Sequence, residues 1–125
     1  MITALLVGIF GVAGALLRFA VDAWFASRPG HRPHWPWATL TVNTAGSFII
    51  GLSTGAAGWL DLGPDGHTAL ATGLAGGLTT FSSWTTATVR LLGEGRYRAA
   101  ALNIAVNLLA GLSAAALGLA LAGRP

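Results

Sequence analysis

Between Gly73 and Thr88 the chain reads Gly-Leu-Ala-Gly-Gly-Leu-Thr-Thr-Phe-Ser-Ser-Trp-Thr-Thr-Ala-Thr, so seven hydroxyl side chains follow a diglycine. The run lies within a stretch long enough to cross a membrane, where hydrocarbon penalises polar side chains and unpaired backbone groups alike. Gly76-Gly77 invites a break in a helix, and the hydroxyls supply neutral donors and acceptors. Such a segment is suited to meeting an ion inside the bilayer. Two other stretches repeat the theme. Thr39, Asn43 and Ser47 recur at i,i+4 and share one helix face. Asn103 and Asn107 do likewise, with Gly111 one turn further. Amide N–H groups and hydroxyls can replace water around an anion without adding a full charge.

What is missing narrows the chemistry. The only carboxylates are Asp22, Asp61, Asp65 and Glu94, all at or beyond the ends of apolar spans. His31, His34 and His67 also fall at ends or in loops. Proton-coupled transporters rely on an embedded acid or histidine, so the pattern favours passive conduction. No nucleophile–base–orienter set is visible and there is no cysteine, which argues against an enzyme and excludes thiolate metal sites.

The elements that must position these residues follow from composition. Only 9% of the 125 residues are charged and 54% are hydrophobic, whereas a soluble domain carries about 25% charge. An all-α membrane protein is expected, with four spans at about 2–24, 37–60, 67–92 and 99–122, the third broken near its middle. Each meets the roughly 20 residues that a bilayer core requires. The alternation of a barrel strand is absent. Trp24, Trp35, Trp37, Trp59 and Tyr97 fall at span ends, where interfacial aromatics sit. The first span opens without a basic residue and is read as retained rather than cleaved. One four-helix unit, 1–125, is too small to wall off a wide aqueous path alone, so an oligomer is expected. Gly51/Gly55, Gly73/Gly77, Gly11/Ala15 and Gly111/Ala115 carry the small-residue spacing of close helix packing.

Three blocks, Gly14-Ala15-Leu16-Leu17-Arg18-Phe19, Thr39-Leu40-Thr41-Val42-Asn43-Thr44-Ala45-Gly46-Ser47-Phe48-Ile49-Ile50-Gly51 and Gly76-Gly77-Leu78-Thr79-Thr80-Phe81-Ser82-Ser83-Trp84, resemble the signature blocks of the CrcB/Fluc fluoride channel family. The likeness extends over essentially the whole chain. It implies a fluoride-selective channel in the plasma membrane, built as a dimer of oppositely oriented subunits with two fluoride pathways. The arginine excess, in a membrane chain, speaks of orientation and not of a nucleic acid partner. The likeness also implies a structural sodium ion at the dimer centre, held by the carbonyls of Gly76 and Thr79. By the same resemblance the anion path uses Asn43, Phe81 and Trp84. Ser83, Thr39, Asn103 and Asn107 extend its polar lining, and Arg18 is a candidate for an anion vestibule or for snorkelling to the interface. An aromatic edge is positive and can approach an anion that has shed water. Trp84 departs from the family, which usually has a second Phe there, and the fourth span offers asparagines where relatives tend to place hydroxyls.

Two other readings compete. A small multidrug-type exporter shares the length and the four helices but needs an embedded carboxylate in its first span, and none precedes Asp22. A non-transporting scaffold has no use for aligned polar faces. The arginines add an expectation of their own. Arg28, Arg32, Arg90, Arg96 and Arg98 belong to one side and Arg124 to the other, so positive-inside bias predicts a mostly fixed orientation with both termini outside. An antiparallel dimer would then pair this subunit with an oppositely biased paralogue. A dual-orientation dimer with itself is the alternative.

Overall fold

In the computed structural model, which describes residues 1–28, 35–57 and 63–123, the chain is all-helical. The first span is α1 (Ile2–Ala26) and the second α2 (Trp37–Ala56). The third begins as α3 (Gly63–Thr68), continues through a π-helical segment (Ala69–Ala75) and ends its first half as α4 (Gly76–Leu78). It resumes as α5 (Phe81–Gly93), and α6 (Tyr97–Ala122) is the fourth. Among these, α1 and α6 are long and apolar enough by themselves to cross a membrane. The second span is diluted by hydroxyls and amides, and the third is interrupted. His31, Arg32, His34, Trp59, Asp61, Arg124 and the end of the second span lie outside the described residues.

Two helix pairs hold the bundle, and both run parallel. On one side α1 packs along the first half of the third span. A Cβ at Gly14 would stand 2.2 Å from the Leu74 carbonyl oxygen, and one at Gly77 would stand 2.3 Å from that of Gly11. On the other side α2 and α6 form the most extensive contact, at a constant offset of 64 residues from Asn43–Asn107 through Gly51–Ala115. A Cβ at Gly51 would lie 2.1 Å from the Ala115 carbonyl oxygen. The small-residue pairs expected from the sequence therefore mark backbones in near contact.

The break lies at Thr79-Thr80, two residues beyond the diglycine. Gly76 is helical at φ −63°, ψ −39°, whereas Thr79 and Thr80 are extended at φ −75°, ψ 156° and φ −146°, ψ 113°. Gly77 serves close packing on α1, and the residues that leave the helix are ordinary threonines. The interruption lets the span change neighbours, from α1 before it to α6 after it. Past the break, α5 ends in a Schellman turn. Gly95 takes φ 71°, Gly95 N–H donates to Leu92 O (3.0 Å), and Arg96 N–H donates to Leu91 O (2.9 Å).

At the ends, Thr3 hydrogen-bonds Asp65, joining the starts of α1 and α3. At the opposite end Arg28 stacks over Trp24 at 3.9 Å, and Arg90 and Arg96 flank Glu94. These exposed pairs contribute little energy.

The glycine contacts set a test. Gly14→Ala and Gly51→Ala each drive a methyl into a backbone carbonyl and are expected to abolish recovery of folded protein in detergent. Gly8→Ala meets nothing within 4 Å and should elute as the wild type does on size exclusion.

Candidate functional site

A helix interrupted in mid-span exposes main-chain groups that need new partners. Asn43 of α2 supplies them. Thr80 N–H donates to Asn43 Oδ1 at 2.8 Å, and Asn43 Nδ2 donates to the Thr80 carbonyl at 3.3 Å. One side-chain amide thus pairs with both main-chain groups of the extended residue. One turn along α2, Gly46 leaves room for Thr79, whose Cγ2 would be 2.3 Å from a Cβ there. Thr80 also caps α5. Its Oγ1 accepts from Ser83 N–H at 3.1 Å and donates to Ser83 Oγ at 3.0 Å.

These substitutions of partner have a direct consequence. The Thr80 N–H would have bonded the Gly76 carbonyl in a continuous helix, and the Ser83 N–H that of Thr79. Both donors are committed elsewhere, so the carbonyls of Gly76 and Thr79 lose their helical partners. Gly76 is exposed on the outer face of the subunit.

From Asn43 a ladder of amides runs into α6. Asn43 Nδ2 donates to Asn107 Oδ1 (3.3 Å), and Asn107 Nδ2 donates to Asn103 O and Oδ1 (3.0 and 3.1 Å). Asn103 Nδ2 donates to Thr88 Oγ1 (2.9 Å) and to Trp84 O (3.4 Å). The direction is fixed at one end, because a main-chain N–H can only donate and so assigns Asn43 Oδ1. All three amides have acceptors for their N–H groups. Asn103 is 0% exposed and Asn107 is buried.

Two hollows flank α5. One, of about 400 Å³, is lined by Thr39, Ser82, Ser83, Thr86 and Arg90 with Pro36. Thr80 donates its single proton to Ser83 Oγ, so Ser82 is the donor in the 3.2 Å Thr80–Ser82 contact. The Ser83 proton is thereby left to point elsewhere. On the opposite face a hollow of about 310 Å³ is lined by Phe81, Trp84, Thr85, Thr88, Val89 and Ile104. Phe81 and Trp84 meet edge to face, with centroids 5.6 Å apart at 77°. Trp84 Nε1 donates to Asn103 O at 3.1 Å.

The structure therefore brings Asn43, Asn103, Asn107 and Trp84 into one network. It gathers Thr39 and Ser83 in one hollow and Phe81 and Trp84 in the other. Arg18 stands apart: it is half-buried on α1 and lines neither hollow. Sequence reasoning missed Thr80 and Thr88, the cap and the end of the ladder. Their signals were the Thr80-x-x-Ser83 spacing and the i,i+4 relation of Thr88 to Trp84, whose carbonyl accepts its hydroxyl at 2.9 Å.

Comparison with known proteins bears on this site. The model of the family described as CrcB-like protein, Camphor Resistance (CrcB), matches residues 5–119. The chain belongs to that family. Among its relatives, the fluoride-specific ion channel FluC of Renibacterium salmoninarum is 53% identical over 120 residues, which cover 93% of this chain and 95% of that one. The fluoride-specific ion channel FluC 1 of Symbiobacterium thermophilum is 45% identical, covering 93% and 94% of the two chains. A FluC of Thermus thermophilus is 40% identical, covering 95% and 92%. In this CrcB-family chain the three quoted blocks coincide with the α1 contact, the Asn43 clamp and the break.

The clamp is testable. Asn43→Leu leaves the Thr80 N–H and C=O without partners and is expected to cost about 1–3 kcal/mol for each group left unsatisfied. Hydrogen exchange should show early loss of protection at Thr80 and Ser83, with α1 unaffected.

Proposed function

We propose that this chain is the subunit of a fluoride channel that lets the anion flow passively out of the cell across the plasma membrane. The observation that carries this reading is the hydroxyl hollow beside α5. Its lining runs from Arg90 past Thr86, Thr39 and Ser83 to Ser82, in the first turn of α5 beside the break. A helix N-terminus offers N–H groups and a positive partial charge to an anion. The aromatic edges of Phe81 and Trp84 line the other face of the same helix. Fluoride, which holds water tightly, exchanges it there for hydroxyl protons. Asn43, Asn107 and Asn103, with their donors engaged, hold the wall in shape. Arg18 contributes at most to the field of the vestibule.

The same reading makes the functional unit a dimer. Phe81 is 73% exposed in the single chain, and Ser82, Ser83 and Gly76 are exposed as well. Broken backbone at this depth is tolerated where protein covers it, not lipid. A second subunit in opposite orientation covers the region of the break, and together they make two paths. The carbonyls of Gly76 and Thr79 fit a hard cation such as sodium, which takes oxygen ligands. Bound there, the ion would supply fixed charge that joins the subunits and would not be transported. The arginines at one end of the bundle favour a fixed orientation and hence an oppositely biased paralogue as partner.

Proteoliposomes holding the protein together with its oppositely oriented partner subunit should release fluoride, read with a fluoride electrode, and retain chloride. Equal passage of both ions would refute the reading. Joint replacement Ser83→Ala and Thr86→Ala should lower fluoride flux about tenfold, the factor that about 1.4 kcal/mol commands and one or two hydrogen bonds supply.

Removing sodium should weaken subunit association and flux together. Gly76→Val should do more harm than Thr79→Ala, although a Cβ at Gly76 meets nothing within its own subunit. Indifference to sodium would count against the cation.

A further inference from the structure

Trp84 is the residue whose role the hydrogen bonds redefine. Its indole N–H, the one polar group that distinguishes it from phenylalanine, donates to the main-chain carbonyl of Asn103 at 3.1 Å. Asn103 returns the contact through Nδ2, which reaches the Trp84 carbonyl at 3.4 Å and Thr88 Oγ1 at 2.9 Å. Trp84 is therefore gripped at both its side chain and its main chain by one residue that is wholly buried. Asn107 binds the same Asn103 from the far side, at O and Oδ1. The acceptor belongs to the backbone of α6, a rigid helix, and does not move with a side chain.

We propose that Trp84 is a specificity-determining wall of the aromatic hollow, its ring held at a fixed angle by the Asn103 carbonyl, and that its N–H is not an anion ligand. The proposal rests on the channel reading above and concerns how the aromatic face of α5, across the helix from the hydroxyl hollow, rejects larger anions. A phenyl ring at this place turns about its Cβ–Cγ bond and yields to whatever presses on it. The indole cannot turn without withdrawing its N–H from Asn103 and leaving a donor unpaired in the interior, which is costly. With the N–H edge turned into α6, Trp84 offers the hollow only carbon, through its C–H edge and its face. Phe81, mostly exposed and set edge to face against the indole, then closes against a stiff surface. An anion large enough to press on the indole has to break the bond to Asn103 to enter, and a small one does not.

The experiment compares wild type, Trp84→Phe and a variant carrying 3-benzothienylalanine at position 84, in which sulfur replaces the N–H at nearly constant shape. Fluoride and chloride fluxes are measured from the same proteoliposome preparations. In both variants fluoride-over-chloride discrimination should fall by at least about fivefold, the factor that about 1 kcal/mol commands. Unchanged discrimination in the benzothienyl variant overturns the proposal. So does a tenfold or greater loss of fluoride flux with discrimination intact, since the N–H would then be serving the anion.

A direct readout is the indole N–H resonance of Trp84. It should exchange slowly with deuterium and stay unmoved when fluoride is titrated, and a fluoride-dependent shift overturns the proposal. A wild-type dimer, assembled with its oppositely oriented partner subunit, that passes no fluoride refutes the channel reading itself, and the resonance then still reports on the lock.

Discussion

The architecture turns on a pair of hydrogen bonds between one side-chain amide and one main-chain peptide. A helix cannot be opened inside a membrane unless its freed N–H and C=O groups are satisfied, and Asn43 satisfies both groups of Thr80. Because those bonds hold Thr80 in extended geometry, α5 starts afresh with its own cap. The third span can then leave α1 and join α6. The hydroxyls of Ser82, Ser83 and Thr86 take their positions from that new start, as do the rings of Phe81 and Trp84.

Glycine plays the complementary part. Close approach at Gly14, Gly77 and Gly51 brings backbones within a distance that no other residue allows, and dispersion between packed helices replaces the hydrophobic drive that lipid removes. This holds α1 against the first half of the third span and α2 against α6, leaving the break as the seam between two rigid pairs. A pocket at that seam keeps its dimensions because neither pair can slide without driving backbone into backbone.

Much of this was readable in the chain. The four-span layout follows from apolar run lengths, and the stacking of Thr39, Asn43 and Ser47 and of Asn103 and Asn107 follows from i,i+4 spacing. The glycine pairs likewise identified true contact surfaces. The position of the break was not readable from local preference. Gly76-Gly77 has the freer backbone, yet the helix opens at Thr79-Thr80, because the partner that stabilises an opening is a tertiary one, Asn43, together with the cap that Thr80 provides. Nor does sequence reveal which donors are already spent. Asn43, Asn103 and Asn107 look like an anion's lining until the facing helices are known, and only then does the ladder among them emerge. Trp84 is the sharpest case, since the N–H it has and a phenylalanine lacks is consumed internally by the Asn103 carbonyl.

The one-way direction of the amide ladder carries a consequence for protons. From Thr80 N–H through Asn43, Asn107 and Asn103 to Thr88 and the Trp84 carbonyl, every link donates in the same sense. Water wires and carboxyl or imidazole relays move charge because each member can accept a proton on one side and release one on the other. A carboxamide does not pass its N–H hydrogens along in this way, and the fixed Thr80 N–H prevents the row from reversing. Each bond polarises the next, so the row stays stiff and strongly dipolar. Polar side chains thus span the seam between the helix pairs in a row that does not itself relay protons.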